Sequence, residues 1–143
     1  MLLLNAQPNL TVLLLERDRG MRGIIKEGLA HSGFHPICAL TAKHAAWTCR
    51  NHGGLIDLLL INVTALGQRP LDCLRTIKAT QPDLPVLLFS ADHRQTLCEL
   101  HPQLLATHEF LPLPLEFPHL TETIHTLLQL QTTPVDEPQA KGV

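Results

Sequence analysis

The sequence predicts an α/β protein, a doubly wound five-stranded parallel sheet of (βα)5 type. Three observations point there. "TVLLLE" (11–16), "LIDLLLIN" (55–62) and "VLLFS" (86–90) are short, nearly continuous apolar runs that end in polar residues. Strands buried on both faces read this way, because neither face can be polar. Between them lie segments whose apolar residues recur at helical spacing. Alternation of the two patterns implies right-handed crossovers and helices on both faces of the sheet.

The elements follow in order. After "TVLLLE", Asp18 is positioned to cap a helix in which Met21, Ile24, Ile25 and Leu29 share a face, and Gly33 in "HSGF" stops it. "FHPICA" is a weaker strand, and Pro36 makes it an edge strand. Thr41 caps a second helix through "AKHAAWTCRN", closed by Gly53-Gly54. "LIDLLLIN" is the central strand. Residues 69–80 form a helix with Leu71, Leu74 and Ile77 inward. "PDLP" turns the chain into "VLLFS". Residues 92–106 are predicted as one helix with Leu97, Leu100, Leu104 and Leu105 inward. "HEFLPLP" is a last short strand. Pro118 starts a final helix with Leu120, Ile124, Leu127 and Leu128 as its apolar stripe. These assignments give one domain over 1–131 and a polar, disordered tail or linker over 132–143.

Composition narrows the function. A chain of 143 residues with 45% hydrophobic residues can bury a core. A net charge of −2, with 11 scattered Lys and Arg, gives no electrostatic case for nucleic acid or an anionic membrane. No Tyr and one Trp leave no stacking platform for single strands. No apolar run approaches a membrane span, and "MLLLNAQPN" lacks the basic start of a signal peptide. The four cysteines form no C-x-x-C pair and read as small buried hydrophobes of a reducing compartment. A cytoplasmic protein is expected.

Open parallel sheets bind at the C-terminal ends of their strands. The residues there are Glu16 and Arg17, Asn62, Ser90 and Leu113. From Leu10 to Leu130 the chain resembles the receiver domain of bacterial two-component response regulators. "TVLLLERDRGMRGIIKEGLAHSGF" is similar to that family's opening strand and helix, and "IDLLLINV" to its phosphoacceptor strand. "PLDCLRTIKATQPDLPVLLFSADH" is similar to its third helix, fourth strand and following loop, and "HEFLPLPLEFPHLTETI" to its fifth strand and last helix. The resemblance implies strand order 2-1-3-4-5. It also implies site roles: an acidic pair for Mg²⁺ at Glu16 and Arg17, the phosphoacceptor aspartate at Asn62, a phosphate-binding hydroxyl at Ser90 and a lysine at Leu113. Phe110 falls on the aromatic position that tracks activation.

Glu16, Ser90, Phe110 and Pro114 fit that pattern; Arg17, Asn62 and Leu113 do not. Leu66 and Pro70 also replace the acceptor loop's usual Pro and Gly. An amide lacks the charged nucleophilic oxygen that an acyl phosphate requires. Mg²⁺ needs hard, charged oxygens, and of the three carboxylates only Glu16 remains, with Arg17 expected to pair with Glu16 or Asp18. Leu113 cannot neutralise a phosphoryl group, but its burial is worth about 1.5–3 kcal/mol. The expectation is therefore an atypical, non-enzymatic receiver with no cofactor and weak or absent Mg²⁺ binding. It would act through protein–protein contact or self-association.

Plainer readings stand beside these. Ser90 can simply cap the next helix, Glu16 can be a satisfied carboxylate, and Phe110 can be core. Of the nine histidines only His31/His35 have i,i+4 spacing, and Gly33 and Pro36 break the helix that a metal pair would need. His93 and His108 lack the helical bundle in which phosphohistidines of relay proteins sit. The resemblance places the partner surface on the fourth helix, fifth strand and fifth helix, with Leu97, Leu104, Phe110 and Phe117 as its apolar residues. Two alternatives remain: a flavodoxin-like cofactor-binding protein, disfavoured by bulky "ERDRGMRG" where a phosphate loop would lie, and a receiver module of a longer regulator.

Overall fold

The computed structural model describes residues 9–52 and 54–132. Five parallel strands form one sheet in the order β2-β1-β3-β4-β5: β1 Thr11–Leu15, β2 His35–Ala39, β3 Leu58–Asn62, β4 Val86–Ser90 and β5 Glu109–Pro112. Six α-helices are described: α1 Arg19–His31, α2 Ala42–Asn51, α3 Pro70–Ile77, α4 Arg94–Leu100, α5 Pro102–Thr107 and α6 Phe117–Thr132. The expected class and strand order are what is found. The polar segment 133–143, the first eight residues and Gly53 lie outside the described residues.

Strand periodicity divides the core. Leu13, Leu15, Leu59, Ile61, Val86 and Leu88 point to one face, where α2 to α5 cover them with Ala45, Cys49, Leu74, Ile77, Leu97 and Leu104. Val12, Leu14, Leu58, Leu60, Leu87 and Phe89 point to the other, under Ile25 and Leu29 of α1 and Leu120 and Ile124 of α6. Each fully buried leucine removes enough apolar surface from water to contribute about 1.5–3 kcal/mol. The sheet therefore holds the strand ends, and the loops that follow them, in fixed register.

Local signals also act as read. Asp18 accepts from Met21 N at 2.7 Å and Thr41 from His44 N at 3.0 Å, supplying acceptors to otherwise unmade N–H groups. Gly33 takes φ +93° after α1, where a side chain would be strained, and Phe34 N then bonds Leu29 O at 3.0 Å. Asp57, assigned to the third strand, instead precedes it: its carboxylate accepts from Thr11 N and its own N–H donates to Thr11 O, both at 2.8 Å.

Some expectations fail. The single helix over 92–106 is two, because Pro102 excludes helical backbone at His101, which lies at φ −140°, ψ 67°. Ile24 and Leu100, expected inward, are 61% and 64% exposed. Cys98 is exposed, and Cys38 and Cys73 are only partly buried. The four residues expected on a partner surface are mostly core: Leu97, Leu104 and Phe110 are buried. Phe117 is half-buried against the α1 side of the core, and its ring fills the space that a Cβ on Gly28 would need.

Candidate functional site

The C-terminal end of the sheet gathers the candidate residues as β1, β3, β4 and β5 run out. Glu16 follows β1, Asn62 ends β3, Ser90 ends β4, and Leu113 follows β5. Alternation continues past β1, so Glu16 turns inward and is buried, while Arg17 turns outward and is exposed. The expected pairing of Arg17 with Glu16 or Asp18 is not what satisfies these groups. Glu16 Oε2 accepts from Asp18 N, and Oε1 accepts from Asn62 Nδ2, each at 2.8 Å. Asp18 uses its carboxylate on Met21 N. The positive charge over this corner comes from Arg22, whose Nη1 donates to the carbonyls of Glu16 and Arg17 at 3.2 Å.

Asn62 is held at both ends of its amide. Oδ1 accepts from Thr64 N at 3.1 Å and lies 3.0 Å from Thr64 Oγ1. A backbone N–H can only donate, so it fixes the amide oxygen towards Thr64 and turns the NH₂ towards Glu16. The side chain thereby caps the single 3₁₀ turn Val63–Leu66, an Asx-type arrangement in "NVT". Thr64 is the functional neighbour missed in the sequence; Asn followed two residues later by Thr was its signal.

Ser90 is buried, and its Oγ accepts from Asp92 N at 3.0 Å. It closes the turn after β4; the helix that follows is capped instead at His93, without a side-chain bond. Leu113 N donates to Ser90 O at 3.0 Å. The Leu113 side chain is partly buried against the α1/α6 side of the core, and the Leu113–Pro114 peptide is cis. Phe110 is buried, with the Arg94 guanidinium 5.2 Å from its ring centre and Arg94 Nη2 3.5 Å from its carbonyl. Arg94 is thus a cation–π partner of the aromatic, a contact that sequence spacing does not reveal.

The donor set does not fit a magnesium ion. A cation needs lone pairs; here one oxygen of Glu16 accepts from the Asn62 NH₂ and the other from Asp18 N. Nor is there a carboxylate at 62 or 17, or a cation at 113, to make and hold an acyl phosphate. What the corner can do is fix loops: one carboxylate and one amide tie the ends of β1 and β3 together through bonds made partly out of water.

Solved structures share this architecture. A response regulator from Thermotoga maritima is 24% identical, with a TM-score of 0.70, covering 85% of this chain and 99% of that one. A response regulator receiver domain protein from Clostridium thermocellum is 17% identical, with a TM-score of 0.73, covering 87% and 98%. The receiver domain of a sensor histidine kinase from Pseudomonas aeruginosa PAO1, with a magnesium ion in its active site cleft, is 17% identical with a TM-score of 0.71, covering 85% and 98%. The chain has the fold of response regulator receiver domains.

Among curated proteins, the DNA-binding transcriptional regulator NtrC of Bradyrhizobium sp. (strain RP501 Parasponia) is 25% identical over 135 residues, which is 92% of this chain and 27% of that protein. NtrC of Rhizobium meliloti (strain 1021) is 28% identical over 115 residues, covering 80% and 22%. The chain spans about a quarter of the length of these relatives. No protein-family model matches the chain.

Proposed function

We infer that this is an atypical receiver of two-component signalling that does not take phosphate at position 62, is not an enzyme, and works in the cytoplasm through protein–protein contact. The observation that carries the reading is the Asn62–Glu16 bond of 2.8 Å. Where receivers place a nucleophilic carboxylate and a metal, this chain places a neutral donor satisfying the remaining carboxylate. Arg17, turned to solvent, and Leu113, drawn towards the core, agree with it. Among the described residues no helix is long and apolar enough to cross a membrane.

The contact surface remains with α4, α5, β5 and α6, but its apolar residue is Leu100, 64% exposed, in place of the buried Leu97, Leu104 and Phe110. A reading as one module of a longer regulator has its own support, since the chain matches only about a quarter of each DNA-binding relative. The two are compatible, because a module can signal to a domain beyond it.

The test is intact-mass spectrometry after incubation with acetyl phosphate and Mg²⁺. The native chain runs beside Asn62→Asp and Asn62→Asp with Leu113→Lys. No adduct is expected on the native chain. A stoichiometric phosphoryl adduct on it overturns the reading.

A further inference from the structure

At the opposite end of the sheet from Asn62, where β4 and β5 begin, lies a cleft between the end of α3 and the corner joining α5 to β5. It encloses about 490 Å³. Leu71, Leu74 and Pro82 give it apolar walls, and Arg75, Lys78 and His108 stand around them. Lys78 and His108 also line an adjoining depression of about 320 Å³ that reaches Asp83 and Glu109. We propose that this cleft binds a small organic carboxylate, its head between Lys78 and His108 and its hydrocarbon body on Leu71, Leu74 and Pro82.

The hydrogen bonds set the roles. Thr107 Oγ1 donates to Gln103 O at 2.7 Å, so towards His108 it accepts. His108 Nδ1 lies 3.0 Å from that oxygen and 3.1 Å from Leu104 O, two acceptors, which places the proton on Nδ1. Among the described residues none bonds Nε2, the atom that becomes a second donor when the ring is protonated. At the end of α3, Leu74 O and Thr76 O accept from Lys78 N and Ala79 N, and Lys78 O beyond them accepts from Gln81 N.

Electrostatics favours an occupant. Burial pushes the Lys78 amine below its usual range, with Asp83 acting against that. Burial also pushes His108 down; the Leu104 carbonyl opposes this and the Lys78 charge adds to it. The charged groups around His108 are Arg75 of α3, Lys78 at its C-cap, Asp83 of the α3–β4 loop, Arg94 of α4 and Glu109 of β5. Burial disfavours the charged form of each group, and the Lys78 charge disfavours protonation of His108; an anion between them favours the charged form of both. The apolar walls select an anion with a hydrocarbon body over a bare, strongly hydrated one. The volume is that of an ordinary small-molecule site.

The test is NMR titration of the isotopically labelled chain with hexanoate, and separately with 1-hexanol and inorganic phosphate. Hexanoate is expected to shift His108, Leu71 and Ala79 together and to raise the pH midpoint of the His108 ring. It should bind at least about tenfold more tightly than the alcohol or phosphate, and Lys78→Gln should weaken it by about tenfold with the spectrum otherwise folded. Lys43→Gln on α2 should leave its affinity unchanged. Three outcomes overturn the proposal: shifts scattered over the surface, phosphate binding as well as hexanoate, or Lys78→Gln binding like the native chain.

Discussion

Replacing Asn62 by Asp reverses one interaction at the centre of the site. In the native chain Asn62 Nδ2 donates to Glu16 Oε1 across 2.8 Å. In Asn62→Asp that donor becomes an acceptor, and two carboxylates meet in a place where Glu16 is only 3% exposed. The lost hydrogen bond to a charged group is worth about 1.5–3 kcal/mol. Unrelieved repulsion at 2.8 Å would add about 6 kcal/mol at an effective dielectric of 20. The carboxylates relieve most of it by separating or by sharing a proton, so the net cost settles near 3 kcal/mol, as for other buried charges stripped of a partner. For a chain of this size that lowers Tm by roughly 10 °C. Thermal and urea unfolding at pH 7 measure it, with and without millimolar Mg²⁺. Mg²⁺ should raise the Tm of Asn62→Asp and leave the native chain unmoved. Adding Glu16→Gln to Asn62→Asp should restore most of the loss, because the amide donor then comes from position 16. An Asn62→Asp chain as stable as the native one in metal-free buffer would refute the placement of that bond.

Two further outcomes follow from packing and burial. Gly28→Ala ordinarily favours a helix by about 1 kcal/mol, but here the new methyl overlaps the Phe117 ring. Overpacking of about 1–3 kcal/mol outweighs that gain; Tm should fall by several degrees and recover when Phe117→Leu is added, as thermal unfolding of the three chains will show. Of the free thiols, Cys98 is exposed, whereas burial pushes Cys38, Cys49 and Cys73 up. Iodoacetamide at neutral pH should label Cys98 first, read by peptide mass spectrometry, and early labelling at Cys49 would contradict its burial.

The strands were legible because burial on both faces leaves a continuous apolar signature. "VLLFS" coincides with β4 residue for residue. Caps were legible for a similar reason, since Asp18, Thr41 and Gly33 each answer a local backbone need. Helix faces were less so. Periodicity marks a stripe but not its edges, and Ile24 and Leu100 sit beyond what the sheet covers. Pro102 was visible, yet the apolar spacing on either side of it suggested one helix where the backbone makes two. At the site, the residue types at 16, 62, 90 and 113 came from the sequence, but their partners did not. Glu16 and Arg17 are adjacent in sequence and turn opposite ways, so proximity along the chain implied a pair that is not made among the described residues. Asn62 and Glu16 are 46 residues apart, a distance that only the sheet closes. Resemblance named apolar residues for a partner surface, but burial decides which of them a surface has to offer, and Leu97, Leu104 and Phe110 are core.

The two outermost strands carry a further consequence. β2 contains Pro36 and the four-residue β5 ends in Pro112. Each proline deletes an N–H from a strand that would otherwise present a full row of donors to a passing chain. Both margins of the sheet are thereby poor templates for strand addition. A passing strand finds an interrupted row of donors at either margin, which works against crowded copies zipping into a continuous, growing sheet.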